Sequence, residues 1–293
     1  MSVELDPLAK AQAQGDSQDR LWYATGVLLD AEDFLDEQTY HRGRLARALA
    51  YLYGSGTVAG LRVAWEPAVA PGADASIPDG RPERIKVEPG LAIDRLGRLI
   101  ELPRTVCLRL NRWFDDQAND DLAQGFHAAP FNGVVVDVFV TFVACERGKT
   151  PAFATGPYEA LDPVVPSRIR DGYAVTLVIR KETDPPRPVN QWPDLSGIAD
   201  PADRTATMRE AVLGAWREGT QWQELDGRLA PLVEHAAGHD TAAVLLARLV
   251  IPATQASAAA RPQRTEGAVV SVDNHIRPIV FNPGRWAGEE RHV

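Results

Sequence analysis

The chain has 293 residues, with 31 basic and 40 acidic side chains and a net charge of −9. That balance excludes the basic footprint with which nucleic-acid binders displace counterions from phosphates. Apolar residues make up 45% and charged residues 24%, enough to bury a core in water, and no apolar run approaches the ~20 residues of a membrane span. The first residues lack the basic start and apolar run of a secretion signal, so cytoplasmic synthesis is expected.

Residues 1–20 are small and polar and are expected to form a flexible arm that orders against a partner. The clearest helix follows at about 31–53. Asp30 stands where an N-cap belongs, with Asp33 in the first turn, and Arg42, Arg44 and Arg47 come later, which suits the helix dipole. Phe34, His41, Leu45, Ala48, Leu49 and Leu52 recur at spacings of three, four and seven, predicting a face that buries against the next strands near Val58, Leu61 and Val63. Glu37 and Arg44 are then expected to face solvent. Gly54 accepts the left-handed conformation that stops a helix.

Short strands are predicted at 57–65, 84–88, 91–94, 98–102 and 105–110, around a Pro/Gly-rich loop at 66–82. Residues 111–131 read as loop or weak helix. The strongest strand signal is 134–145, where the even positions are all apolar and several odd ones are too, and 173–180 repeats the pattern. A Pro-rich stretch at 184–193 leads into a helical segment at about 201–237. Residues 243–251 read as strand because the apolar run is short and ends at Pro252, and 268–273 with 276–281 read as a closing hairpin.

The chemistry-bearing residues form no recognised catalytic pattern. Cys107 and Cys145 lie in separate β-like stretches and are expected to be buried, inert thiols. Gly54-x-Gly56-x-x-x-Gly60 has the wrong spacing for a dinucleotide loop and follows a helix instead of opening one. Glu37-x-x-x-His41, with Asp33 one turn earlier, reads as a surface charge ladder. His235-x-x-x-His239 could share a metal if a helix persists there, but the expected reading is a helix C-terminus, and no bound metal or other cofactor is expected. Seven scattered tryptophans favour packing or interface anchoring over a carbohydrate site.

Three pieces together resemble a family of poorly characterised bacterial proteins encoded with contractile injection systems and phage-tail-like particles. They are the run from Gly26 through Asp30, Asp33, Phe34, Gln38, Tyr40 and His41 to Arg42, then Val58-x-Gly60-Leu61-x-Val63, and then Val87-x-Pro89-Gly90 through Asp94 to Gly97-Arg98. The ending Asp273-Asn274-x-Ile276-Arg277 is similar too. The resemblance implies a structural subunit without catalytic residues. It further implies other particle subunits as partners and a homo-oligomer within the assembly. The motif residues also have direct physical readings. Gly60 suits a bulge or close backbone approach. Pro89-Gly90 fits the centre of a type II turn, and Gly97 a second turn to which Asp94 can bond.

The expected fold class is α+β. A flexible arm (1–20) precedes a helix plus β-rich domain (21–183), a helical insertion (184–240), and C-terminal strands returning to the β-domain (241–293). The expected function is a non-enzymatic baseplate or attachment component of a tail-like particle, incorporated after cytoplasmic synthesis. The alternatives are a cap or terminator of the same particle or, from a different class, a carbohydrate-binding module or hydrolase.

Overall fold

The computed structural model describes residues 20–151, 164–189, 193–219 and 229–280. The expected arm at 1–20 lies, apart from Arg20, outside them. Helix α1 spans Ala31–Tyr53 and begins with a capping box. Asp30 Oδ1 accepts from the backbone N–H groups of Glu32 and Asp33, and the Asp33 carboxylate accepts from the backbone of Asp30. Gly54, at φ 72°, ends the helix, and its N–H donates to the carbonyl of Ala50.

Six short strands follow: β1 (Gly56–Gly60), β2 (Val63–Glu66), β3 (Arg84–Val87), β4 (Gly90–Ile93), β5 (Leu99–Leu102) and β6 (Val106–Arg109). They form two antiparallel three-stranded sheets, ordered β1-β4-β5 and β2-β3-β6. The strand predicted at 57–65 is therefore two strands in two sheets. Gly60 and Leu61 both adopt positive φ, 67° and 56°, and that pair of left-handed residues turns the chain from one sheet into the other.

Helices α2 (Leu110–Asp115) and α3 (Asn119–Gln124) and the short β7 (Phe126–His127) lead to the main sheet. Its strands are β8 (Gly133–Pro151), β9 (Val164–Ile179), β10 (Val244–Thr254), β11 (Gln263–Arg264) and β12 (Ser271–Asp273), with β7 also pairing. Helix α4 (Pro201–Gly219) separates β9 from β10 and touches α1. β8 lies between β9 and β10; on one face Val134, Val136, Val138 and Val140 enter the main core, and on the other Phe139 packs with Val178, Leu245 and Ile276, so both faces of the strand are covered. One core runs from Leu61, Val63, Ile85 and Ile100 of the small sheets through Leu110, Phe114 and Leu122 to the valines of β8 and Leu246, Leu249 and Ile251 of β10. The fold is α+β, with a helix ahead of the C-terminal strands.

Several expectations need correcting. β12 pairs with β10, and residues 276–280, the described part of the expected partner strand, instead return to β1: Thr57 donates to Pro278 and Val280 donates to Thr57. Residues 232–240 form turns, not the end of a helix. Cys107 and Cys145 are exposed. Among the strand pairings described, β6 pairs with β3 alone and turns Cys107 outward, while Cys145 lies on a part of the β8–β9 hairpin that has left the core.

The largest correction concerns α1. Its buried residues are Gly43 and Ala46, whereas Phe34, Leu45 and Leu52 are 52%, 63% and 67% exposed. The cause is the β4–β5 turn. Gly97, at φ 76°, sits so close to the helix that a Cβ there would overlap the backbone carbonyl of Ala46. Only small helix residues permit that approach, so the bulky ones lie on other faces.

Gly97→Ala should therefore destabilise the protein more than Gly72→Ala. Both glycines have φ 76°, but nothing lies within 4 Å of a Cβ built at Gly72. The shared left-handed conformation costs about 1–3 kcal/mol, and Gly97→Ala adds the displacement of α1. Urea melts of the two variants measure the difference; equal losses would mean that the close approach contributes nothing.

Candidate functional site

The motif residues of the resemblance gather at two junctions and one helix face. The first junction is the β4–β5 turn, where each residue has a separate task. The Asp94 carboxylate accepts from the backbone N–H groups of Leu96 and Arg98, each at 2.9 Å, and from Arg98 Nε at 2.6 Å. Burial pushes the Asp94 carboxyl up, and the Arg98 guanidinium and these N–H groups oppose that rise. Arg98 also lies over the Phe142 ring of β8, 4.7 Å from its centre. Arg95 donates to the carbonyls of Ala230 and Thr241, and Leu96 packs with Leu229 and Ala242. Gly97 meets α1. Five consecutive residues thus join the first helix, the main sheet and the segment before β10.

The second junction brings the middle motifs to the C-terminal one. Gly60 and Gly90 are paired across β1 and β4, and a Cβ on either would overlap the opposing backbone. Gly60 has φ 67°, but Gly90 is not left-handed: β4 begins there, so the type II turn expected at Pro89-Gly90 does not form, and the glycine is needed for close approach alone. A register shift between Thr57 and Ala59 marks a bulge in β1. The Asn274 side chain donates to the Val63 carbonyl and accepts from the Val63 N–H, both at 2.9 Å, as a neighbouring strand would. Arg277 donates to the carbonyls of Leu61 and Asn274. Burial, with Arg62 nearby, pulls the Arg277 pKa down to about 10.

Asp30 and Asp33 form the cap of α1, and Gly54 its stop. Along the rest of the helix Phe34, Gln38, His41 and Arg44 are exposed. Tyr40 meets the His41 ring edge-on at 5.3 Å, and the Arg44 guanidinium lies 5.9 Å from the Tyr40 ring centre. Glu37 and His41 approach to 3.6 Å, one turn apart. Phe34 is half exposed, so its truncation would open no buried cavity.

Among the described residues, a buried ionic network without a sequence signature joins β8 to β10. Asp137 of β8 is fully buried between two arginines. Arg248 of β10 donates to both of its carboxylate oxygens, at 2.7 and 2.9 Å, and Arg180 donates to one at 3.0 Å. The arginines then bind Glu182 and the carbonyls of Glu234, Pro185 and Pro186. Asp137 alternates with valines on a strand, and nothing in the linear sequence marks two arginines 43 and 111 residues away as its partners. A cleft of about 460 Å³ opens beside this network, lined by Pro130, Phe131, Arg187, Arg248 and Asp273 among others. Arg248 is bonded inward at four of its N–H groups, so it offers the cleft little free donor capacity.

His235 is buried, and both ring nitrogens are committed within the chain. Nδ1 accepts from the Leu232 N–H, so Nε2 carries the proton and donates to the Ala243 carbonyl, each at 3.0 Å. A metal would have to displace one of these bonds. Among the described residues no group of three or more potential ligands is poised to hold a metal ion, and no helix is long and apolar enough to cross a membrane. No protein-family model matches the chain, and no curated protein sequence does.

Removing the shared carboxylate by Asp137→Ala should cost about 3–5 kcal/mol, because the buried Arg248 loses its carboxylate partner and Arg180 is left with Glu182 alone. A chemical denaturation midpoint close to that of the unaltered protein would contradict this. Burial pulls the His235 pKa below its ordinary 6.5. The unfolded chain then takes up a proton that the folded one refuses. The His235 contribution is complete above about 6.5 and is lost as pH falls through the gap between the two values. Urea melts at about pH 7.5 and about pH 5.5 should show a smaller loss on acidification for His235→Asn than for the unaltered chain. An unchanged or larger loss would remove His235 as a source of acid sensitivity.

Proposed function

We propose that the chain is a non-enzymatic structural subunit of a contractile injection system or phage-tail-like particle, as a baseplate or attachment component. The observation that carries this reading is the outer half of the β8–β9 hairpin. Pairing continues from Cys145 opposite Arg170 to Pro151 opposite Val164, while the side chains from Cys145 to Lys149 and from Pro166 to Asp171 are exposed. A two-stranded ribbon is marginal by itself in water. This one also sets Arg147 directly opposite Arg168, and like charges in that relation are destabilising. Arg147, Lys149, Arg168 and Arg170 outnumber Glu146 and Asp171 on this ribbon, in a chain whose net charge is −9. An arm of this kind suits a subunit that reaches onto an acidic neighbouring surface, where the opposed arginines find counter-charges.

The motif junctions support the same reading. They spend the recognisable residues on fixing elements to one another, as a rigid building block requires. Particles sedimented from the source organism should contain the chain in fixed ratio to sheath and tube proteins. The double variant Arg147→Glu/Arg168→Glu should fold with an unchanged melting profile and enter particles several-fold less. A chain that never sediments with particles would overturn the proposal, and a fully incorporated double variant would remove the ribbon from it.

A further inference from the structure

Helix α1 carries a surface that the described residues leave uncovered. Phe34, Gln38, His41, Leu45, Ala48 and Leu52 follow one another at spacings of four, three, four, three and four, and all six are exposed. That is the spacing of a two-helix coiled-coil seam, in which Phe34, His41 and Ala48 would take one set of core positions and Gln38, Leu45 and Leu52 the other. Gly43 and Ala46, the residues buried against the β-domain, lie off this seam. One face therefore anchors the helix at home, and a different face has the pattern of a helix partner.

We propose that the covering partner is a second copy of this chain, with the two α1 helices antiparallel about a two-fold axis passing between Thr39 and Tyr40. The charges choose both the orientation and the register. Glu37 and Arg44 occupy equivalent positions on one edge of the seam, one heptad apart. With the axis between Thr39 and Tyr40, Glu37 faces Arg44 of the second copy and Arg44 faces its Glu37. The same register sets Leu45 against Phe34 of the second copy, twice by symmetry, and Gln38 against His41 in the central layers. Sliding the helices by one heptad either way brings Arg44 against Arg44 or Glu37 against Glu37. A two-fold contact needs a self-complementary patch, and this edge is self-complementary in one antiparallel register.

This interface goes beyond the particle assignment and does not depend on it. A dimer that never enters particles would leave the interface standing, and a monomer built into particles would do the reverse.

The test is sedimentation equilibrium on the full chain, with thermal melts to verify folding. The unaltered protein should be dimeric. Glu37→Arg alone and Arg44→Glu alone should each raise the dissociation constant at least about tenfold, since each dimer then holds two like-charge contacts. The double reversal Glu37→Arg/Arg44→Glu should dimerise again. A mixture of the two single variants should form a heterodimer, because every edge contact across it joins opposite charges. A monomeric unaltered chain, whether the face is covered by another part of the chain or not at all, would overturn the proposal. So would a dimer that responds to Glu37→Arg but not Arg44→Glu, the result expected of parallel helices, in which Glu37 faces Arg42.

Discussion

Everything on the N-terminal side of the molecule depends on how closely the turn between β4 and β5 approaches the first helix. A carboxylate inside the turn fixes its shape, and the glycine at its tip removes the side chain that would keep two backbones apart. The helix must answer with small residues, which it has at Gly43 and Ala46. Its large apolar residues are then carried away from the domain by geometry alone. The same turn reaches the main sheet through Arg98 and the segment before β10 through Arg95 and Leu96, so the orientation of the helix is coupled to the body of the fold.

This arrangement explains what was legible in the sequence and what was not. The helix, its cap and its stop are written locally, because Asp30, Asp33 and Gly54 act within a few residues of themselves. The strands of the main sheet are legible because 134–140 and 244–251, apart from Asp137 and Arg248, are short apolar runs, the pattern of a strand covered on both faces. The burying face of α1 was not legible. Hydrophobic periodicity locates the apolar face of a helix but does not say whether the chain's own core or a partner covers it. Reading Phe34, Leu45 and Leu52 as core assumed the first. The inward contact rests on the absence of side chains, and a missing side chain adds almost nothing to a hydrophobic pattern.

The remaining misreadings share a cause. The segment 57–65 looked like one strand because two consecutive left-handed residues, one of them Leu61, leave no periodic trace. A hairpin between 268–273 and the residues after it is the local solution, whereas the chain returns to β1 more than two hundred residues upstream. The Asp137 network likewise joins residues far apart in sequence. Local chemistry was readable; the long-range pairings that turn it into junctions were not. The motifs hold a helix at a fixed attitude to the sheets.

That attitude can be measured residue by residue. With Cys107 and Cys145 replaced by serine, single cysteines are placed along α1 and their alkylation followed at a dilution where the chain is monomeric. Cysteines at 34, 45 and 52 should react at rates near those of a free thiol, and cysteines at 43 and 46 only as fast as the protein unfolds. The opposite pattern, with 34, 45 and 52 protected and 43 and 46 reactive, would contradict the claim that the β4–β5 turn directs the apolar face of α1 outward.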